Sequence, residues 1–410
     1  MFLLPFTLFS VCFANFILIP KEQHLFTFEF GSFAQEHGLD NLASVGDLYL
    51  FKTNTDNYHK YKNTFDNLFD IEQEQIYKIN PVSEEGNEND FVYIQELDGS
   101  FSMQLRTSDI LSAERVSGQD APVPWHLDRI SKRHLPLDGN YSYSQPGSCH
   151  KNSNVEIHTY VVDTGVDKSH PEFEGRATFL ENFTGDNEDF DGNSHGTHCS
   201  GIIGSKTYGV CKDAKIFGVK VLDSQGSGST SGVIAGMDYV FNRHVKNEKV
   251  NSNVRSIISM SLGGGKSVAM NRVVEKMIKT SNTFYIVVAA GNENSDACNT
   301  SPASARGILT VMAMGKNDQR AYFSNYGVCA DIYGTGVEII STIPGGKTAI
   351  YSGTSMATPQ IVGALNHYLD QFPNMNMGQI REKMLSDATK DTIKGNPRKT
   401  SNLMSYIHRD

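Results

Sequence analysis

The sequence predicts an α/β fold, a three-layer doubly wound and mostly parallel sheet, preceded by a small α+β unit. Three observations carry this. From about residue 155, short β-branched apolar runs recur between turn residues: Ile157 to Val162, Ile216 to Val221, Ile257 to Met260 and Phe284 to Ala289. Such runs suit parallel strands buried on both faces. Between them lie helical candidates at Thr197 to Ile203, Ser231 to Phe241 and Val268 to Lys279, the alternation of a doubly wound sheet. The residues that carry chemistry follow the carboxyl ends of the runs, where open α/β sheets bind their ligands.

The chain has 410 residues, 39% hydrophobic and 20% charged, with a formal charge of −10. That balance fits a globular protein and argues against nucleic acid as its main partner. Residues 1–14 read as a secretory signal: they are apolar and close on Cys12-Phe13-Ala14, small enough for cleavage after Ala14. They lack a basic start, and apolar character returns at Phe16 to Ile19; Pro5, Asn15 and Pro20 weigh against an uncleaved anchor. No later segment is apolar enough to span a bilayer, so no membrane partner is expected once the signal is gone. The product is expected to be secreted or vacuolar, and a monomer.

Residues 15–117 form the leading α+β unit. Asp47 to Phe51 is strand-like, Tyr58, Tyr61, Phe65, Leu68 and Phe69 recur at helical spacing, and Phe91 to Ile94 reads as a strand before the Asp98-Gly99 turn. The acidic run Ser83 to Asp90 reads as a solvated loop. Composition changes at Ser117 to Asp120, with Pro122 and Pro124 following, which marks a domain edge and leaves residues 118–410 for the α/β domain.

Four side chains in that domain suggest one site. Ser355 lies in Ser352-Gly353-Thr354-Ser355-Met356-Ala357-Thr358-Pro359, where small neighbours and a helix start would expose a hydroxyl beside a positive dipole end. Such a hydroxyl needs a base. His195, in Asn193-Ser194-His195-Gly196-Thr197-His198-Cys199, is the candidate. A zinc pair with His198 is disfavoured, because the spacing is three and no Glu intervenes. Asp163 closes an apolar run ahead of Thr164-Gly165, placed to orient an imidazole. Asn292, after Ala289-Ala290-Gly291, offers an amide that could donate to an oxyanion. Taken singly, each has an ordinary reading as a turn, cap or core residue.

Together, in the order Asp163, His195, Asn292, Ser355 and with their local text, they resemble the subtilisin-like serine proteases, or subtilases, especially the proteinase K and cerevisin branch. The similarity spans roughly residues 121–370. It implies Ser355 as nucleophile, His195 as general base and then acid, Asp163 as orienter and Asn292 as oxyanion donor, in an endopeptidase acting on proteins and peptides without a catalytic cofactor. By the same resemblance Ser261, Leu262 and Gly263 form one wall of the groove and Ala289, Ala290 and Gly291 the other. Gly226, Ser227 and Gly228 form an opposing edge, so that substrate adds as a strand. No charge falls in those walls, which implies broad specificity with an apolar or aromatic P1 residue.

The resemblance also pairs Cys298 with Cys329 and places a free Cys199 under the catalytic ring, with mercurial sensitivity as its mark. Five cysteines remain after Cys12, so one is left over; pairing of Cys149 with Cys211 stays open. Asp331, with the carbonyls of Arg306 and Ile308, matches a structural calcium site. The leading unit resembles the family's inhibitory propeptide. Pro124 to Ile130 resembles a mature amino terminus, which sets cleavage near Ser117 and leaves Lys132-Arg133 inside the mature protein. Gln360 and Gly334-Thr335-Gly336 depart from the family's usual histidine and Ala-Pro-Gly. An α/β-hydrolase esterase would order its triad Ser, Asp, His, which this chain does not. A catalytically dead binding homologue is disfavoured because all four positions are filled.

Overall fold

The computed structural model describes residues 15–21, 30–79, 91–95, 101–105, 123–141, 149 and 154–407. The predicted signal, the acidic run and the boundary at 117 lie outside these.

The leading part contributes β1 (Asn15–Pro20), α1 (Phe30–Glu36), β2 (Asp40–Val45), β3 (Leu48–Asn54), α2 (Thr55–Lys60), α3 (Lys62–Leu68), β4 (Phe69–Gln73) and β5 (Ile76–Lys78). A hairpin of β6 (Phe91–Gln95) and β7 (Phe101–Leu105) follows. The rest supplies α4 (Trp125–Ile130), β8 (Glu156–Asp163), β9 (Ala177–Asn182), α5 (His195–Gly204), β10 (Lys215–Lys220), β11 (Ser227–Ser229), α6 (Thr230–Val250) and β12 (Val254–Met260). Then come β13 (Gly264–Gly265), α7 (Val268–Thr280), β14 (Phe284–Ala289), β15 (Thr300–Ser301), β16 (Leu309–Met314) and β17 (Ile332–Thr335). The chain ends in β18 (Ile339–Ile343), β19 (Lys347–Tyr351), α8 (Thr354–Gln371), α9 (Met377–Asp387), β20 (Thr389–Lys390) and β21 (Leu403–Met404).

Nine strands form the main sheet in the order β20-β21-β17-β16-β14-β12-β8-β10-β9. Every neighbouring pair is parallel except β20 with β21. The pleat sorts alternate residues into two cores. Tyr160, Val162, Ile258, Met260, Ile286 and Val288 pack toward α6 and α7. Val161, Ile257, Tyr285 and Val287 pack with Ile202, Ile361 and Leu365 of α5 and α8. The strands expected from the sequence are all present. Helix α6 runs beyond the expected end at Phe241 because His244 is itself buried, bonded to Ser256 Oγ and Ser281 Oγ at 2.9 Å each.

The leading unit is a four-stranded antiparallel sheet ordered β2-β3-β1-β4. The apolar Phe16 to Ile19 is one of its central strands, paired with β3 and β4. One sheet face carries Ile17, Ile19, Val45 and Leu50 into the same core as Met237 and Met277 of α6 and α7. The other carries Leu18 and Phe51 against Phe65 and Phe69. Phe69 opens β4 rather than continuing a helix, which the chain needs in order to return along β1. Two carboxylates from this unit reach the starts of the helices it covers. Glu74 Oε1 accepts the Ser231 N–H at 3.2 Å in α6, and Glu72 Oε2 accepts the Ala269 N–H at 3.0 Å in α7. Negative charge there satisfies orphan donors and faces the positive helix end.

The two departures from the family pattern belong to one contact. Gln360 is buried on α8; its Oε1 accepts the Thr335 N–H at 3.0 Å and its Nε2 donates to the Thr335 carbonyl at 2.6 Å. Gly334 and Gly336 let the helix in: a Cβ on Gly334 would lie 2.8 Å from the Ala357 carbonyl oxygen, and one on Gly336 2.7 Å from that of Gly353. Replacing Gln360 with Ala strands both Thr335 groups, and unmet buried groups cost about 1–3 kcal/mol. Denaturant melts of Gln360→Ala in a Ser355→Ala background should show a loss of that size.

Candidate active site

The site lies at the carboxyl ends of β8, β12 and β14. Asp163 is the last residue of β8 and fully buried. Its Oδ1 accepts the Thr164 N–H at 2.7 Å and meets His195 Nδ1 at 2.8 Å. His195 is the first residue of α5, which packs so closely on the turn after β8 that a Cβ on Gly196 would stand 2.2 Å from the Gly165 carbonyl oxygen. The glycine beside the histidine is therefore a steric requirement of the Asp163–His195 contact.

Asp191 fixes this loop, and the sequence reading passed over it. Its Oδ1 accepts the Thr164 hydroxyl at 2.8 Å and the N–H groups of Asn193 and Ser194 at 3.1 and 2.9 Å. Its Oδ2 accepts the Thr197 N–H at 2.8 Å and its hydroxyl at 2.6 Å. One carboxylate thus ties the turn after β8 to the first turn of α5, with Ser194 held at φ 90° between them. The available signal was an acidic residue four places before His195.

Ser355 is in the first turn of α8, 7% exposed. Its hydroxyl donates to the Ser261 carbonyl at 3.1 Å, and the Ser261 hydroxyl donates to the Ser355 carbonyl at 3.0 Å. Cys199, a buried free thiol, lies between base and nucleophile segments: its sulfur is 3.9 Å from His195 Nδ1 and 3.4 Å from the Ser355 carbonyl oxygen. The Ser355 hydroxyl is thus hydrogen-bonded to Ser261 rather than to His195. Asn292 accepts the Thr354 N–H and hydroxyl at 2.9 and 2.8 Å through Oδ1. This fixes the amide so that its NH2 end is the donor, in the wall that also carries Ser355.

His198, the disfavoured zinc ligand, is buried, bonded to the Ala349 carbonyl at 3.0 Å and stacked on Tyr351 at 4.4 Å. Burial pulls its pKa down to about 3, so it is a neutral packing group. His195 goes the other way. Burial works against its charge, but the Asp163 carboxylate bonded to Nδ1 outweighs that and holds its pKa well above 6.5.

A cavity of about 270 Å³ opens beside Ser355. Ser261, Leu262 and Gly263 line one side, and Ala289, Ala290, Gly291 and Asn292 the other. Glu293 also lines it, a carboxylate the wall segments did not suggest. Its Oε2 accepts from Asn325 Nδ2 at 2.6 Å, and Asn325 also donates to the Ala290 carbonyl at 2.9 Å. Gly226, Ser227 and Gly228 form the facing edge, and between the edges lies the chain's own β5. Ser227 pairs with Lys78 and Gly228 with Tyr77 in antiparallel register. On that same side the Ile79 N–H donates to the Gly226 carbonyl at 3.1 Å, and on the other Lys78 and Gly263 exchange N–H···O bonds of 3.1 and 3.3 Å. Tyr77 is fully buried against Gly264.

Cys298 pairs with Cys329, with Cα atoms 5.2 Å apart, and Cys149 with Cys211 at 5.4 Å. Asp331 stands at the head of β17 with Ile308 nearby, but both face the Arg381 guanidinium. The exposed Arg306 gives its N–H to Glu275 at 3.0 Å.

A carboxylate-held imidazole, a serine hydroxyl at a helix start and an amide donor, on the rim of a doubly wound sheet, define a serine hydrolase whose groove takes extended peptide. Residues 157–403 match the family model described as the subtilase family. The chain belongs to that family. It is 46% identical over 295 residues to the cuticle-degrading protease of Metarhizium anisopliae, covering 71% of this chain and 72% of that one. It is 43% identical over 297 residues to the subtilisin-like serine protease Rho m 2.0101 of Rhodotorula mucilaginosa, covering 69% and 85%. Among solved structures it resembles a cold-adapted subtilisin-like serine proteinase, with TM-score 0.63 and 38% identity over 71% of this chain and 100% of that one. The activity is that of a subtilisin-like serine protease. Among the described residues, no helix is long and apolar enough to cross a membrane.

The raised His195 pKa has a kinetic consequence. As the general base that the resemblance implies, His195 must be neutral, so activity is lost as pH falls through that pKa. The acid limb of kcat/KM for the processed enzyme should lie above the ordinary histidine value of about 6.5; a limb below it would mean that burial outweighs the Asp163 carboxylate.

Proposed function

We propose that the chain is a secretory-pathway serine endopeptidase made as a precursor that processes itself. In this reading the leading unit is its intramolecular inhibitor. The observation that carries it is the placement of Ile76 to Ile79 as a third strand between the Gly226–Ser229 and Gly263 edges. A peptide held by backbone bonds on both sides is gripped with little regard to its side chains, which supports broad specificity. The antiparallel register, with Lys78 opposite Gly263, sets β5 against the edge that leads back to Ser261, whose carbonyl receives the Ser355 hydroxyl.

Hydrolysis then follows from the residues present. His195 takes the Ser355 proton as the oxygen attacks the scissile carbonyl, and Asp163 steadies the resulting imidazolium. The Asn292 amide and the Ser355 N–H receive the oxyanion, His195 returns the proton to the leaving amine, and water releases the acyl group by the reverse path. The alanine and glycine walls favour an apolar or aromatic P1 side chain, with the Asn325-tethered Glu293 at the margin.

Ser355→Ala should give a folded chain that neither cleaves peptides nor loses its leader. Wild-type product should begin near Ser117, and a peptide-library profile should favour apolar P1 residues. Retained cleavage by Ser355→Ala, or a mature start beyond Arg133, would refute the reading.

The leader's grip is expected to be acid-sensitive. Burial alone would raise the Glu74 pKa, but hydrogen bonds from Ser231 and Asn15 and the Lys52 charge bring it below the usual carboxylate value. A carboxylate with a lowered pKa stabilises the closed form at neutral pH and loses that contribution as pH falls through the lowered pKa. Charge at a helix start is worth about 0.3–1 kcal/mol, so Glu74→Gln should shorten the lag before activity appears by roughly two- to five-fold.

A further inference from the structure

The sequence set Asp331, with the carbonyls of Arg306 and Ile308, around a structural calcium ion. The residues present do not fit one. Asp331 Oδ2 accepts the Thr310 N–H at 2.9 Å, and Oδ1 is taken by the Arg381 guanidinium from α9. The same guanidinium donates through Nε to the Ile308 carbonyl at 3.0 Å. Two of the three expected oxygen ligands thus already share a cation, and neither Asp331 oxygen is left without a partner. Calcium collects six to eight oxygens at about 2.3–2.6 Å. A positive group bonded to two of those oxygens stands where the ion would have to sit.

We propose that Arg381 is a built-in cation that replaces calcium at this site. It makes the cross-link an ion would make, joining the strand entry at Ile308 to the head of β17, and adds α9 as a third member. Its planar fork suits two acceptors at once, and its charge is permanent. An ion's stabilisation grows with the logarithm of its free concentration once that exceeds Kd and vanishes well below it, whereas a side chain is always present. The stability of this region is therefore independent of calcium in the medium.

The test uses the full chain carrying Ser355→Ala, so that self-digestion cannot intervene, with thermal unfolding measured in calcium and in chelator. The parent should melt at the same temperature in both. Arg381→Ala should melt several degrees lower, and Arg381→Lys, which keeps the charge but not the fork, in between. The proposal is overturned if chelation lowers the parent's Tm and Asp331→Asn abolishes that response, or if Arg381→Ala leaves Tm unchanged. A chelator response that survives Asp331→Asn puts the ion elsewhere and upholds the assignment.

Discussion

The site depends on one backbone contact, the packing of the first turn of α5 against the turn that ends β8. Gly196 rests on the Gly165 carbonyl with no room for a methyl group between them. That approach brings the first side chain of the helix over the last side chain of the strand, and hence the imidazole onto the carboxylate. Asp191 holds the two pieces in this relation through five hydrogen bonds. Asn292 is added from the turn after β14 of the same parallel sheet, and Ser355 from the first turn of α8, which follows the separate β18–β19 hairpin.

This explains what was legible in the sequence. The strands that carry the site are buried on both faces, so they appear as apolar runs without polar interruption. The residues after them must be small or polar for close approach, so they appear as Asp-Thr-Gly, His-Gly-Thr and Ser-Gly-Thr-Ser. Residue type and order were enough to single out Asp163, His195, Asn292 and Ser355, and the structure brings Asp163 onto His195 and lines one cavity with Asn292 and Ser355. Asp191, Asn325 and Arg381 were not legible because they act on backbone groups or on partners far along the chain. Nothing in the local sequence of Arg381, for instance, points to a carboxylate 50 residues away. The expected calcium ligands Asp331 and Ile308 do lie together, and the cation proposed to join them could not be read from their own segments.

The leading unit was readable as a fold and, by resemblance, as an inhibitory segment, but not down to the strand that enters the groove. Its alternating and helical patterns indicated a small α+β body, but the short run Ile76 to Lys78 has no distinctive composition. It is a strand only because two glycine-rich edges of another domain offer it backbone partners. Its identity lies in the groove rather than in its own residues. Gly226 makes the same point in reverse, since a Cβ there would lie 2.4 Å from Ile79.

The apolar face shared between leader and protease bears on how the enzyme is born and lost. Ile17, Ile19, Val45 and Leu50 complete a layer whose other half belongs to α6 and α7. On the proposed reading, the catalytic domain matures against a template that is later discarded. The finished molecule then lacks part of the surface that made its own assembly favourable. Its endurance would rest on the height of the barrier to coming apart rather than on the depth of the folded minimum.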